Sequence, residues 1–197
     1  MISIEEIKKL KELTGVGLTD AKIALTEANG DFDKALEAMR KKGLTKAEKR
    51  GEREARAGII DAYVHSNRIG VLIELNCETD FVAKTDEFKA LAHDIAMQVA
   101  AMNPKYITEA DIPADEMERK KSELIEAAKN EGKSADIAEK AVAGQLKKYF
   151  SEITLYDQAY WKDDKQTVED LVKSYIAKLG ENIIVRQIRR IELGVSE

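Results

Sequence analysis

The sequence predicts an α+β protein, in which an N-terminal module of three helices precedes a core of helices that cover a three-stranded antiparallel sheet. Two observations predict this fold class. Apolar residues recur at helical spacing through most of the chain. Three segments, residues 59–65, 69–75 and 183–193, instead have the composition that is typical of strands, and a short polar turn separates the first two.

Three short helices are predicted in residues 1–43. Ser3 followed by Glu6 forms the capping-box pattern that starts a helix. The second helix begins near Thr19, and Asp31 is placed to cap the third. A three-helix unit of this length with a glycine-containing first loop resembles the ubiquitin-associated type of domain, which is a binding module and not an enzyme.

Residues 44–57 form a predicted charged linker between the module and the core. Basic and acidic side chains crowd this segment, and large apolar ones are nearly absent. A segment of mixed charge is typical of an exposed helix or a tether. A nucleic-acid-binding arm is disfavoured, because acidic residues interrupt the basic ones.

Residues 58–197 form the predicted α+β core and dimerisation domain. After the β-hairpin, Thr85 is placed to cap a long helix, and residues 114–153 have the pattern of an antiparallel helical hairpin. A final helix over residues 167–179 is capped by Gly180 and leads to the third strand. A three-stranded sheet has edges that need covering, and a partner subunit is one way to cover them.

Composition and charge argue against several classes of function. The net charge is −5, so the chain lacks the excess of basic residues that direct nucleic-acid binding requires. No apolar run approaches the roughly 18 residues that span a bilayer, and the N-terminus has no signal-peptide pattern. Cys77 is the single cysteine, which fits a reducing compartment. We therefore predict a cytoplasmic protein without membrane or direct nucleic-acid contacts.

Motifs for catalysis, cofactors or metals are missing from the sequence. His65 and His93 lie far apart in the chain, no Cys-x-x-Cys spacing occurs, and no glycine-rich phosphate loop follows a strand. Cys77 with a distant histidine could form a nucleophilic pair, but a single cysteine after a strand is usually a small buried hydrophobic residue. We expect a binding protein that is not an enzyme and has no cofactor or metal.

Several motifs carry a family resemblance that covers nearly the whole chain. The stretch LNCETDFVAKTDEF, residues 75–88, closely resembles the signature of bacterial elongation factor Ts. Residues 13–43, LTGVGLTDAKIALTEANGDFDKALEAMRKKG, resemble the N-terminal helical module of that family, and HSNRIGVLIELN and AKLGENIIVRQIRR resemble its core. The resemblance implies a guanine-nucleotide exchange factor for the GTPase elongation factor Tu.

The resemblance also implies a role for the acidic turn that contains Phe81. In the family this motif is pressed against the GTPase near its nucleotide, and the aromatic side chain disturbs the bound magnesium ion and the phosphates. Phe81 would be the wedge and Asp80 the polar contact beside it, while Thr79 and Val82 would set the geometry of the turn. The alternative is that Phe81 is the first core residue of the long helix.

Further partner contacts follow from the resemblance at two other places. The family's N-terminal module touches the GTPase through positions that match Leu18, Thr19 and Lys22. A helix-end contact in the family core matches Leu179 and Gly180. Each has an alternative: Thr19 could be only an N-cap, Lys22 only a solvated side chain, and the last pair only a core leucine with a C-cap glycine.

His65 and the oligomeric state are linked by the same resemblance. Long members of the family have two related core subdomains, and a histidine of the second reaches the GTPase. This chain has one copy of the motif, so it resembles the short form, in which two chains reproduce the duplicated core. We expect a homodimer in which His65 acts from the neighbouring subunit. The alternative is an exposed histidine at a turn.

Two functional hypotheses follow from these patterns. The first is the nucleotide exchange factor for elongation factor Tu. The second is a non-catalytic adaptor that uses the N-terminal module to bind a ubiquitin-like fold or a peptide.

Overall fold

The computed structural model describes residues 2–14, 16–130 and 135–195, and it begins with a three-helix module. The helices are α1 (Ile4–Thr14), α2 (Leu18–Glu27) and α3 (Phe32–Glu48). The Ser3 hydroxyl accepts a hydrogen bond from the Glu6 amide at 3.1 Å, and the Glu6 carboxylate accepts one from the Ser3 amide at 2.8 Å. The predicted capping box is therefore confirmed. The buried residues of the module are Leu10, Ala21, Ala24, Leu25, Ala35 and Met39.

Helix α3 does not end at Gly43, where the sequence predicted the end of the module. It continues to Glu48, and Ala47 is buried in the main core. A Cβ atom added to Gly43 would lie 3.4 Å from the Cβ of Ala177, so the glycine allows a close approach to the last helix of the core. Just after α3, the Arg50 guanidinium donates to the Ile176 carbonyl at 2.8 Å. The division into a module, a linker over residues 44–57 and a core stays a prediction.

The core sheet has the predicted three antiparallel strands in the order β1-β2-β5. Strand β1 is Ala57–His65, β2 is Ile69–Cys77 and β5 is Ile184–Glu192. Helix α5 (Asp86–Met102) packs on one face of this sheet. Its N-cap is Thr85, whose hydroxyl accepts from the Phe88 amide at 3.2 Å. The predicted fold class is confirmed.

Four short elements were not predicted. They are helix α4 (Asp80–Ala83), a 3-10 helix (Glu109–Asp111) and the two-stranded sheet of β3 (Ala159–Tyr160) and β4 (Asp163–Thr167). Each has five residues or fewer, which is too short for a hydrophobic period to appear in the sequence.

Three long helices complete the chain. Helices α6 (Ala114–Asn130) and α7 (Ala135–Ile153) pack together around Ala128 and Val142. The sequence predicts the turn between them at residues 130–133. Residues 131–134 lie outside the described residues, as do Met1, Gly15 and residues 196–197. Helix α8 (Val168–Leu179) packs against α3 and α5. In the described part of the chain, no helix is long and apolar enough to cross a membrane.

Candidate partner-binding turn

The turn that follows β2 presents Phe81 to solvent. Thr79 caps the short helix α4, because its hydroxyl accepts from the Val82 amide at 3.4 Å. Val82 and Ala83 turn toward the core, where Ala83 is buried. Phe81 points the other way and is 80% exposed. It is therefore not a core residue of α5 in this chain, and the first buried ring of that helix is Phe88.

The Glu181 carboxylate anchors this turn through three hydrogen bonds. One carboxylate oxygen accepts from the backbone amides of Glu78 at 3.1 Å and Thr79 at 3.0 Å. The other accepts from the Thr79 hydroxyl at 2.6 Å. Glu181 follows the last helix of the core, more than a hundred residues along the chain. The backbone just before Phe81 is thus tied to a distant segment.

A second set of hydrogen bonds fixes the same junction. The Glu78 carboxylate accepts from the Asn182 amide at 2.7 Å. The Asn182 side chain is buried and donates to the carbonyls of Gly51 at 3.2 Å and Arg53 at 2.6 Å. The Arg53 guanidinium lies 3.6 Å from the Glu78 carboxylate. Three segments, one after each of α3, β2 and α8, therefore meet beneath the turn.

Asp80 is an exposed carboxylate beside Phe81. The Lys84 ammonium donates to it at 2.6 Å, one helical turn away. This hydrogen bond, followed by the charge of Lys84, lowers the pKa of Asp80 below its ordinary value. The carboxylate is therefore ionised at neutral pH and offers an acceptor at the surface next to the aromatic ring.

Leu179 and Gly180 lie at the same junction, since they directly precede Glu181. Gly180 adopts the left-handed conformation with φ 83°, and its amide donates to the Ile176 carbonyl at 3.0 Å. It is the C-cap that the sequence predicted. Leu179 is half-buried and packs against the core. The structure thus brings this pair and residues 79–82 to one junction.

The predicted residues of the N-terminal module lie on one element, the first turns of α2. Leu18 is 51% exposed, and Thr19 and Lys22 are exposed as well. The N-cap of α2 is Gly17, not Thr19, so capping does not explain Thr19. Ile23, which we did not single out, is also exposed beside them. This helix end presents apolar and basic groups together.

His65 lies at the far end of the β-hairpin from Phe81. In the β1–β2 pairing, His65 is opposite Ile69, whereas Ala57 is opposite Cys77 at the end that leads to the turn. Eight residues of strand separate the two ends, which is about 26 Å at 3.3 Å per residue. The His65 Nδ1 atom lies 2.9 Å from the Tyr63 hydroxyl. Within one chain, His65 is therefore separate from the Phe81 turn.

Cys77 has the properties of a core residue. It is fully buried, and its thiol donates to the Thr79 carbonyl at 3.1 Å. Burial, followed by the negative charge of Glu181, raises the pKa of Cys77 to about 11. A protonated, inaccessible thiol is not a nucleophile at neutral pH. Among residues 2–14, 16–130 and 135–195, no cluster of His, Cys, Asp and Glu side chains could hold a metal ion.

Sequence reasoning missed Glu181, Asn182 and Arg53, which hold the turn. In the sequence, Glu181 and Asn182 stand only as the two residues between the cap Gly180 and the predicted last strand. Their partners are 102 to 131 residues away, so no local spacing marks them. The only available signal is a polar pair directly after a helix C-cap, which is common in loops.

Comparisons with known proteins agree with the resemblance seen in the motifs. Residues 7–194 match the family model described as Elongation factor TS. The chain is 51% identical over 195 residues to the elongation factor Ts of Carboxydothermus hydrogenoformans, covering 98% of this chain and 90% of the relative. It is 49% identical to that of Caldanaerobacter subterraneus, covering 98% of both chains. It is 53% identical to that of Thermotoga petrophila, covering 98% of this chain and 96% of the relative. The chain therefore belongs to the elongation factor Ts family.

Proposed function

We propose that this protein is a guanine-nucleotide exchange factor that binds the translational GTPase elongation factor Tu and accelerates GDP release during translation elongation. The family supports the partner and, with it, a cytoplasmic location. The observation that carries the proposed mechanism is the 80% exposure of Phe81 on an anchored turn. A large apolar ring held in water is available to a partner and adds nothing to the core of its own chain.

Phe81 acts as a wedge in this mechanism. Full burial of a phenylalanine side chain stabilises by about 1.5–3 kcal/mol. That free energy is gained only in the complex, so it favours the conformation of the GTPase that accepts the ring. If this conformation moves the groups of the GTPase that would hold its magnesium ion beside the nucleotide, both the ion and GDP would bind more weakly. Nucleotide then weakens binding of the exchange factor by the same factor.

Asp80 and the junction residues assist the wedge. The ionised Asp80 carboxylate lies beside the ring and supplies a hydrogen-bond acceptor for the partner. Thr79 caps the short helix that carries both side chains, and Val82 packs that helix against the core. Leu179 and Gly180 end α8 at the same place and extend the contact surface. The protein itself makes and breaks no covalent bond in this mechanism.

A second contact is made by the N-terminal module. Leu18, Thr19 and Lys22 lie at the start of α2, where an apolar side chain and a basic one are both exposed. Two contacts on separate elements raise the affinity and orient the Phe81 turn, because the second contact forms within an already bound complex.

A second copy of this chain covers the open face of the sheet, which we define by Ile60, Val64, Leu72 and Ile191. Each of these side chains is at least 50% exposed. The strand register places them on one face, since Val64 is opposite Gly70, and Gly70 is opposite Ile191. A homodimer would bury this apolar face. His65 of one chain would then contact the GTPase that is bound mainly by the other chain.

The test is release of labelled GDP from elongation factor Tu. Phe81→Ala is expected to slow the stimulated release by roughly tenfold to 150-fold, which corresponds to the loss of about 1.5–3 kcal/mol. Trp161→Ala is the matched control, because Trp161 is also an exposed aromatic residue, at 46%, but lies in the turn between β3 and β4. No stimulation by the unmodified protein at micromolar concentration would reject the proposal.

The same assay separates the adaptor hypothesis. An adaptor that binds only through the N-terminal module would lose binding on Leu18→Ala and would not respond to Phe81→Ala. Point substitutions are preferable to a deletion of residues 1–43, because that deletion would cut through α3, which continues past residue 43 and buries Ala47 in the core.

A further inference from the structure

We propose that Glu181 is a positioning residue for nucleotide exchange, which acts by holding the turn that displays Phe81. The inference rests on the proposed function, since it concerns the same turn. Glu181 is not one of the predicted partner-contact residues, but in this proposal it fixes the position of the Phe81 side chain.

The hydrogen bonds form a relay from Glu181 to the helix that carries Phe81. The Thr79 hydroxyl donates its only proton to the Glu181 carboxylate at 2.6 Å. The Thr79 hydroxyl oxygen also accepts a hydrogen bond from the Val82 amide at 3.4 Å and so caps the start of helix α4. The backbone amide of Thr79 is held by the other carboxylate oxygen at 3.0 Å. Both the direction and the start of α4 therefore depend on one carboxylate.

The position needs a carboxylate and not merely a polar side chain. Three donors converge on Glu181, two on one oxygen and one on the other. A glutamine has only one acceptor oxygen. If that oxygen accepts from the two backbone amides, the NH2 group faces the Thr79 hydroxyl, which must then accept a hydrogen bond and loses the acceptor for its own proton. In the described part of the chain, the Glu181 carboxylate thus accepts from the Glu78 amide, the Thr79 amide and the Thr79 hydroxyl.

Packing alone does not hold the turn. Helix α4 has four residues, and a helix of this length does not form by itself in water. Asp80 and Phe81 are exposed, so only Val82 and Ala83 contact the core. Removal of the Glu181 contacts would leave Phe81 on a segment that samples many conformations, most of which direct the ring elsewhere.

Glu181 is itself held in place. The next residue, Asn182, is buried and bonded through its side chain to the carbonyls of Gly51 and Arg53. Its backbone amide donates to the Glu78 carboxylate at 2.7 Å. With Glu181 fixed in this way, the turn presents Phe81 in a preorganised position, and binding of the partner then costs less conformational entropy.

The first experiment measures GDP release against exchange-factor concentration for Glu181→Gln. We expect the maximal rate to fall about tenfold, equivalent to about 1.4 kcal/mol, and the melting temperature to stay close to that of the unmodified protein. Glu169→Gln is the matched control, because Glu169 is at the opposite end of α8 and pairs with Lys173 on the surface. It should exchange at the original rate.

The decisive readout is the same substitution in a Phe81→Ala background. A positioning residue that acts through the ring should have no further effect once the ring is gone, so the double variant should exchange as slowly as Phe81→Ala alone. A merely structural role would lower the rate by the same factor in both backgrounds. Thr79→Val, which removes the hydroxyl from the other side of the relay, provides a second variant if Glu181→Gln does not fold.

Each outcome has a separate meaning. If Phe81→Ala slows release and Glu181→Gln does not, the positioning role is overturned and the proposed function stands. Equal effects of Glu181→Gln in both backgrounds also overturn the positioning role. If Phe81→Ala leaves release unchanged, the wedge mechanism fails first and the role of Glu181 fails with it.

Discussion

Two phenylalanines of one motif should differ sharply in their contribution to stability. Phe81 is 80% exposed, whereas Phe88, seven residues later, is 0% exposed in the core under the sheet. Phe88→Ala removes a fully enclosed ring and should cost about 3–5 kcal/mol of the free energy of unfolding. Phe81→Ala should change it by less than about 0.5 kcal/mol, as is usual for an exposed site. The difference follows from burial alone, because the residue type and substitution are the same.

Urea denaturation followed by circular dichroism would measure both changes. The unmodified protein and the two variants should be compared at one protein concentration, because a dimer makes stability depend on concentration. A loss of more than about 1 kcal/mol for Phe81→Ala would mean that the ring packs within the protein, which would refute the reasoning behind the wedge. A small loss for Phe88→Ala would contradict the packing of α5.

Three further predictions concern the sheet and the junction. Val64→Lys places a charge on the open face and should convert a dimer into a particle of the single-chain mass, 22.0 kDa, by sedimentation; an unmodified protein that already sediments at that mass would contradict the homodimer. Gly58→Ala should destabilise by more than about 2 kcal/mol in thermal or urea unfolding, because its Cβ would lie 2.2 Å from the Leu75 carbonyl oxygen. Gly144→Ala, with open space around it in α7, is the control and should not destabilise. Cys77 should resist alkylation in the native state, since a pKa raised to about 11 leaves about one thiol in a thousand ionised at pH 8; the rate should rise with pH through the range of that pKa, and rapid labelling at pH 8 would refute its burial.

Local signals in the sequence predicted the ends of several elements. Thr85 caps α5 and Gly180 caps α8 as expected, because a cap is decided by residues within one helical turn of each other. Gly43, by contrast, does not end α3. A glycine costs only about 1 kcal/mol within a helix, and the close contact of α3 with Ala177 offsets that cost by allowing the two helices to pack.

The candidate site was only partly predictable. The motif around Phe81 identified the turn, but its spacing was equally compatible with a ring inside the core. Exposure of the ring depends on α4, a four-residue helix that carries no periodic pattern. The direction of that helix depends in turn on Glu181, whose hydrogen bonds to the turn bridge more than a hundred residues.

The sequence by itself determined the class of fold, the strand and helix segments and the family, because these follow from hydrophobic periodicity, caps and motifs that lie close together in the chain. Only the tertiary structure decided that Phe81 faces water while Phe88 is buried, and that the ends of α3, β2 and α8 meet beneath the turn. The physical reason is that burial and long-range hydrogen bonds depend on which distant segments come together when the chain folds.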